Sequence, residues 1–308
     1  MTRYVGRRFM ELAIVFVGVT FIIYVMVFTL PGDPIAALGG DRPLPENVQA
    51  QLRAEYHLDE PVVLQYLRYV GGLFVGDLGT TFDGRAVSDR MAARWPVTIT
   101  LALTAFAIEV VLGVLLGLIA GLRNGGVLDR TVLVATILAT SVPVFVVGVS
   151  AQLVFGLHLG WFPIAGTGAG WPTAYLLPAT VIALFGLASV TRLMRGSVVD
   201  TLRSDFVRTL TAKGMPRRNI VGVHVMRNSV TPVLTFLAID LGYLLGGTVV
   251  IEAIFNLPGI GALLFDAIRT HEGPTVVGVA TALILIFLIT SVVVDLINSV
   301  LDPRIRHE

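Results

Sequence analysis

Six stretches of this sequence, near residues 10–30, 97–122, 131–157, 174–195, 230–251 and 276–297, are long, apolar and almost free of charge. An α-helix of ~20 such residues matches the roughly 30 Å hydrocarbon core of a bilayer. Inside lipid the backbone can satisfy its polar groups only within a helix or a closed barrel. The pattern therefore predicts an all-α polytopic membrane protein with six transmembrane helices. Composition agrees, since 55% of the 308 residues are hydrophobic and only 14% charged. Pro143 and Pro178 fall inside two of the stretches and are expected to kink those helices without breaking them. Arg3, Arg7 and Arg8 ahead of the first stretch resemble the start of a cleavable signal peptide. That apolar run is longer than a signal core, however, and no small-x-small site precedes Pro31-Gly32-Asp33-Pro34, so a retained first helix is expected.

The connecting segments alternate in basic charge. One side holds Arg3, Arg7, Arg8, Arg123, Arg130, the bases from Arg192 to Arg227, Arg304 and Arg306, fifteen of the 22 Lys and Arg residues. Six of the other seven lie in the single long segment 31–96, whose length weakens their influence on topology. Both termini are thus expected inside (N-in/C-in), with 31–96 outside and 203–222 inside. A net charge of +1 gives no sign of a nucleic-acid partner. The absence of cysteine excludes disulfides, thiolate nucleophiles and Cys-containing zinc sites. The five histidines form no His-Glu-x-x-His pair, and no Gly-x-Ser-x-Gly elbow occurs, so neither a metal site nor an intramembrane hydrolase is expected.

Two segments stand out. Segment 31–96 is too polar for lipid, yet Leu52, Tyr56, Leu58, Val62, Leu64, Tyr66, Leu67 and Val70 would give short amphipathic helices a face to pack on. It is expected to form a small folded cap and not a solvated coil. In segment 203–222, Ser204 or Asp205 can cap a helix and Gly214 can end it in the left-handed conformation, with Phe206, Val207 and Leu210 on one side between them. So short a helix is marginal in water unless another protein holds it. The plainer alternative is a basic loop that obeys the positive-inside rule.

Asp205 to Gly214, with Arg227-Asn228 and Pro232 downstream, resembles the cytoplasmic coupling loop of bacterial ABC importer permeases, specifically the dipeptide, oligopeptide and nickel permease family. Further matches follow in order along the chain: Pro31-Gly32-Asp33-Pro34, Gly76-Asp77-Leu78-Gly79, Gly160-Trp161-Phe162-Pro163, Glu252 through Gly261, and Asp302-Pro303-Arg304. Arg208-Thr209-Leu210 stands where the broad class has Glu-Ala-Ala and the peptide subclass resembles Arg-Thr-Ala, so Leu210 departs from both.

The resemblance implies a type I ABC importer permease architecture with an extracytoplasmic cap after helix 1, in a bacterial inner membrane. It implies half of a translocation path for short peptides, with nickel chelates or haem as other cargoes. The implied partners are a second homologous permease subunit, two ATPase domains in one fused chain or two, an extracytoplasmic substrate-binding protein, and membrane lipid. Asp205, Phe206, Arg208, Thr209, Leu210, Lys213 and Gly214 would form the ATPase-coupling element, Phe206 and Leu210 supplying its packed contact. ATP and Mg would belong to the partner subunits, because a P-loop needs Gly-Lys before Ser or Thr and the sole lysine, Lys213, precedes Gly214 instead. Asp33, Glu252, Phe255, Pro258 and Gly259 are extracytoplasmic loop and gate candidates. Segments 31–96 and 252–274 would be the landing surface, and the second of these is apolar enough to dip into the membrane.

Glu109 and Asp240 lie within spans, where an ionisable group is costly and faces protein or water. Both are translocation-path candidates that could bind a peptide's amino terminus or a cation. The structural alternative makes each a buried partner, hydrogen-bonded to a Thr or paired with an arginine such as Arg192 or Arg195. A proton-coupled secondary transporter would use Glu109, Asp240 and Asp295 as a relay, but the internal repeat such a carrier would show is not apparent.

Overall fold

A computed structural model describes residues 2–29, 35 and 45–301. Asp33 and the Pro31-Gly32-Asp33-Pro34 and Asp302-Pro303-Arg304 motifs lie outside the described residues, as do the side chains of Leu52 and Asp295. Among the described residues the chain is helical between turns, with one isolated bridge pairing Thr80 and Ala86. Helix α1 runs Thr2–Thr29, and α2 (Glu46–Glu55), α3 (Val62–Leu73) and α4 (Val87–Ala92) follow it. Helix α5 (Trp95–Ile108) continues through a π-helical segment, Glu109–Gly113, into α6 (Val114–Leu122). Next come α7 (Val127–Ser141), α8 (Val144–Ala151), α9 (Thr173–Leu202) and the short α10 (Asp205–Ala212). The chain closes with α11 (Met226–Gly247), α12 (Val249–Ile254), α13 (Ile260–Arg269) and α14 (Gly273–Leu301).

Five stretches are long and apolar enough to cross a membrane: Gly6–Thr29, Trp95–Leu122, Thr173–Leu202, Arg217–Gly246 and Gly273–Val293. The bent pair Val127–Ser141 and Val144–His158 is a sixth if counted as one span. Its two halves meet at 98°, so the kink expected at Pro143 is corrected to a break. The ring of Pro143 drives the preceding residue out of the helical region, and Val142 takes φ −103° and ψ 131°. Pro178 does not break its helix: α9 runs on through it from Thr173 to Leu202, with one N–H missing from the ladder.

The described residues form two compact units, one of those up to 98 together with 258–289, the other of 99–257 together with 290–301. In the first unit α3 packs on α1. Tyr66, Tyr24 and Val277 are buried together with Phe21, Val27, Phe28, Val62 and Val70 around them. The Tyr66 hydroxyl donates to the Val17 carbonyl at 3.0 Å and meets the Thr20 hydroxyl at 2.9 Å, while the Tyr69 hydroxyl donates to Thr281 at 2.8 Å. Leu64 and Leu67 are exposed on the far side of α3, which corrects their place in the expected packing face. The Gly76-Asp77-Leu78-Gly79 stretch is a turn with Gly76 and Gly79 at φ +83° and +98°, closed by the Gly79 N–H donating to the Asp77 carboxylate at 2.8 Å. It seats the Leu78 carbonyl against Gly278, where any Cβ would overlap it. Val87 and Met91 of α4 are buried with Ile260, Leu263 and Val279, and Arg90 pairs with Glu272 at 2.8 Å.

The second unit is built around α9, of whose apolar span 56% is buried, against 33% for the α5–α6 span. Lipid tails are as apolar as leucine, so helices in a membrane associate through close packing and not through burial from water. Gly113, Gly117 and Gly121 supply that closeness. A Cβ at these positions would lie 2.7 Å from Val190 Cγ1, 2.7 Å from Met194 Cβ and 2.8 Å from Val198 Cβ. Val190, Met194 and Val198 continue into a core with Val207, Ile220, Val225, Val233 and Leu237.

Candidate functional sites

Helix α10 has two faces. Val207 is buried, and Leu210 and Met215 pack on the same core. Asp205, Arg208, Thr209, Lys213, Arg217 and Arg218 are exposed, and Phe206 is 39% exposed at the edge. The helix ends where Gly214 takes φ +76°. There the Gly214 N–H donates to the Thr211 carbonyl at 3.0 Å and the Met215 N–H to the Leu210 carbonyl at 3.2 Å, the Schellman pattern of a left-handed stop. At the start, Ser204 occupies the capping position, but its hydroxyl donates backwards to the Thr201 carbonyl at 2.5 Å and makes no cap bond. Leu210, half-buried, packs on the core of its own chain, and Phe206, more exposed, is the large apolar group turned outward. Beneath the helix, the Ser229 hydroxyl meets that of Thr201 at 3.1 Å and ties α11 to the end of α9.

Glu109 opens the π-helical segment and is 1% exposed. Its carboxyl fills the space above Gly186 that any side chain there would occupy. Asp240 of α11, the other intramembrane acid, is half-buried. Among the described residues, neither oxygen of Glu109 and not Oδ2 of Asp240 has a hydrogen-bond partner. Arg195 is not their partner. It forms a two-pronged pair with Asp129, Nε to Oδ1 at 2.9 Å and Nη2 to Oδ2 at 2.8 Å, and also reaches Asn124 at 2.9 Å. The Gly125 N–H completes the clamp on Asp129 at 2.9 Å, closing the turn between α6 and α7 onto α9.

The gate candidates separate. Glu252 and Phe255 are buried, at 0% and 2% exposure, which corrects their assignment to a landing surface. The Thr248 hydroxyl donates to Glu252 Oε1 at 2.8 Å, and the Phe255 carbonyl accepts the Gly166 N–H at 2.9 Å. Gln152 Nε2 bridges the Ile254 and Ile164 carbonyls at 3.0 and 2.7 Å. These bonds make the segment an internal brace. Pro258 is exposed and Gly259 buried. Sequence reasoning missed the glycine stripe and the Asp129–Arg195 clamp. The spacing 113, 117, 121 was the available signal for the stripe.

Comparison with known proteins converges on one family. Residues 113–307 match the model of the binding-protein-dependent transport system inner membrane component, and residues 1–102 match that of the N-terminal part of such membrane components. A Brucella abortus protein named as a peptide transport system permease is 36% identical over 315 residues, covering 100% of both chains. The oligopeptide transport system permease protein OppB of Haemophilus influenzae is 32% identical, and the dipeptide transport system permease protein DppB of Escherichia coli 30% identical, again with 100% of both chains covered.

Proposed function

The chain belongs to the family of inner-membrane components of binding-protein-dependent transport systems, and from that premise we propose that it is one half of an ATP-driven import path for short peptides. The names of the relatives support the cargo class. The observation that carries the coupling role is the two-faced α10, seated on its own core through Val207 and Leu210 while Phe206, Arg208 and Lys213 face outward. Separate ATPase subunits, which bring ATP and Mg, receive this face in a groove on the cytoplasmic side. A second homologous permease completes the path, and an extracytoplasmic binding protein delivers the peptide. When the ATPases close, their push reaches α9 and α11 through the core beneath α10 and the Thr201–Ser229 contact. Packing at Phe206 transmits the force, and Arg208 and Lys213 orient the encounter.

The test is peptide uptake and ATP hydrolysis measured together in vesicles holding the complete complex. Phe206→Ala combined with Arg208→Glu and Lys213→Glu is expected to lower uptake about tenfold or more, equivalent to about 1.4 kcal/mol of lost coupling, while hydrolysis continues. Uptake at the wild-type rate would defeat the lever.

A further inference from the structure

We propose that α3 lies in the outer leaflet of the bilayer, along its plane, with a stripe of Val63, Leu64, Leu67, Phe74 and Val75 set against phospholipid acyl chains. The proposal takes the N-terminus inside, as the distribution of basic residues has it, and does not rest on the cargo or the energy source.

Helical spacing builds the stripe. At about 100° per residue, these five positions fall within about 120° of the circumference of α3. Phe74 and Val75 follow the last residue of the helix but keep its winding: Phe74 has φ −67° and ψ −20°, and the Val75 N–H donates to the Gly72 carbonyl at 3.0 Å. All five side chains are exposed, Phe74 at 87% and Val75 at 83%. A row of apolar groups this bare marks a surface that something apolar covers.

The contacts of α3 with two spans give the direction in which the stripe faces. Around the helix in one sense come Gln65, Tyr69, Tyr66, the stripe, and then Arg68. Gln65 accepts from the Tyr24 hydroxyl at 3.5 Å, the Tyr69 ring lies 5.6 Å from that of Tyr24, and the Tyr66 hydroxyl donates to the Val17 carbonyl at 3.0 Å. That order descends α1 from near its outer end to Val17, the middle of the Gly6–Thr29 span. The next step around α3 reaches the stripe, which therefore faces the bilayer interior. The second span agrees, because the Tyr69 hydroxyl donates to Thr281, in the outer half of Gly273–Val293. On the opposite side Arg68 pairs with Glu60 at 2.9 Å and meets His57 at 3.0 Å, a polar cluster directed to the headgroups and water. A helix with one apolar and one charged face, held at this depth, lies in the membrane interface.

Lipid fits the stripe better than protein does. A soluble protein approaches from the water side, which is the side of Arg68 and Gln65. Helices of a second membrane subunit pack closely through small residues, whereas this stripe is Val, Leu and Phe with only Gly71 among them.

The test uses the complete complex in lipid nanodiscs. This chain has no cysteine, so Leu67→Cys, Phe74→Cys and Arg68→Cys each place one bimane label on it, with labelling of the unsubstituted complex subtracted. The ratio of quenching by doxyl-labelled acyl chains to quenching by aqueous iodide is expected to be several-fold higher at positions 67 and 74 than at 68. A second measurement needs no substitution: phospholipid carrying a diazirine on its acyl chain is photolysed around the unsubstituted complex, and mass spectrometry is expected to find adducts on 63–75. Equal quenching ratios at the three positions would place the stripe in water, and protection of 67 and 74 from both quenchers would place it under another protein. Either result, or the absence of adducts on 63–75 while α1 is modified, would overturn the proposal. Neither readout involves uptake, so failure of the importer reading would leave both results unchanged.

Discussion

Gly117 is set against α9 so closely that a Cβ would lie 2.7 Å from both Met194 Cβ and the Thr191 carbonyl oxygen. A carbonyl cannot step aside as a flexible side chain can. Gly117→Val is therefore expected to cost about 1–3 kcal/mol or more as the helices are forced apart, read as a lower melting temperature in detergent. Gly196 has open space around it, and Gly196→Ala is the matched control expected to leave melting unchanged. The Asp129–Arg195 clamp makes the opposite demand, a fixed charge in a fixed place. Asp129 is 2% exposed, so Arg195→Ala strands a buried carboxylate and is expected to cost about 3 kcal/mol, with Arg195→Lys restoring only part because it cannot make the two-pronged contact. The repeat of small residues at 113, 117 and 121 can be read in the sequence. The partner of Arg195 cannot, because Glu109, Asp240 and Asp129 are equally plausible acids until the turn at Gly125 brings one of them to the end of α9.

At the scale of elements, short helices take their positions from the side that packs. Alternation of polar and apolar residues announces α3 and α10, yet it does not say which apolar residues face inward: Tyr66 does and Leu67 does not, Val207 and Leu210 do and Phe206 does not. The hand of each helix relative to its neighbour decides this, and that is a tertiary property. Tyr69→Phe removes the bond to Thr281 and is expected to loosen the seat of α3 by about 1 kcal/mol, measured as faster amide exchange along 62–73. Leu210→Ala is expected to unseat α10 and so to raise amide exchange across 205–214, an effect Phe206→Ala should not share. In the turn before α4, the Asp83 carboxylate accepts the Thr81 hydroxyl and lies near Arg90 and Arg85, which together hold its pKa below the ordinary carboxylate value. A group whose folded pKa is depressed contributes stability that is present above its unfolded value and lost as pH falls through the folded one. Protection factors across 81–92 are thus expected to fall below about pH 4, and Asp83→Asn to flatten that acid response.

At the scale of the whole molecule, the spans differ in how much of each the chain itself covers. The apolar span of α1 is only 11% buried against 56% for that of α9, so most of α1 faces lipid or another subunit. The number of spans and the presence of α10 follow from hydropathy and from one Ser-Asp start and one glycine stop. The pairing of Arg195 with Asp129 does not, since it depends on how helices distant in sequence come to lie together. The proposed function requires separate ATPases and a second permease. Purification of the tagged chain from its native membrane in mild detergent, with mass spectrometry of whatever remains bound, tests it most directly. Recovery of a P-loop ATPase and a second six-span permease is the expected result; recovery of the chain alone or as a homodimer, in detergents that preserve other complexes, would contradict it.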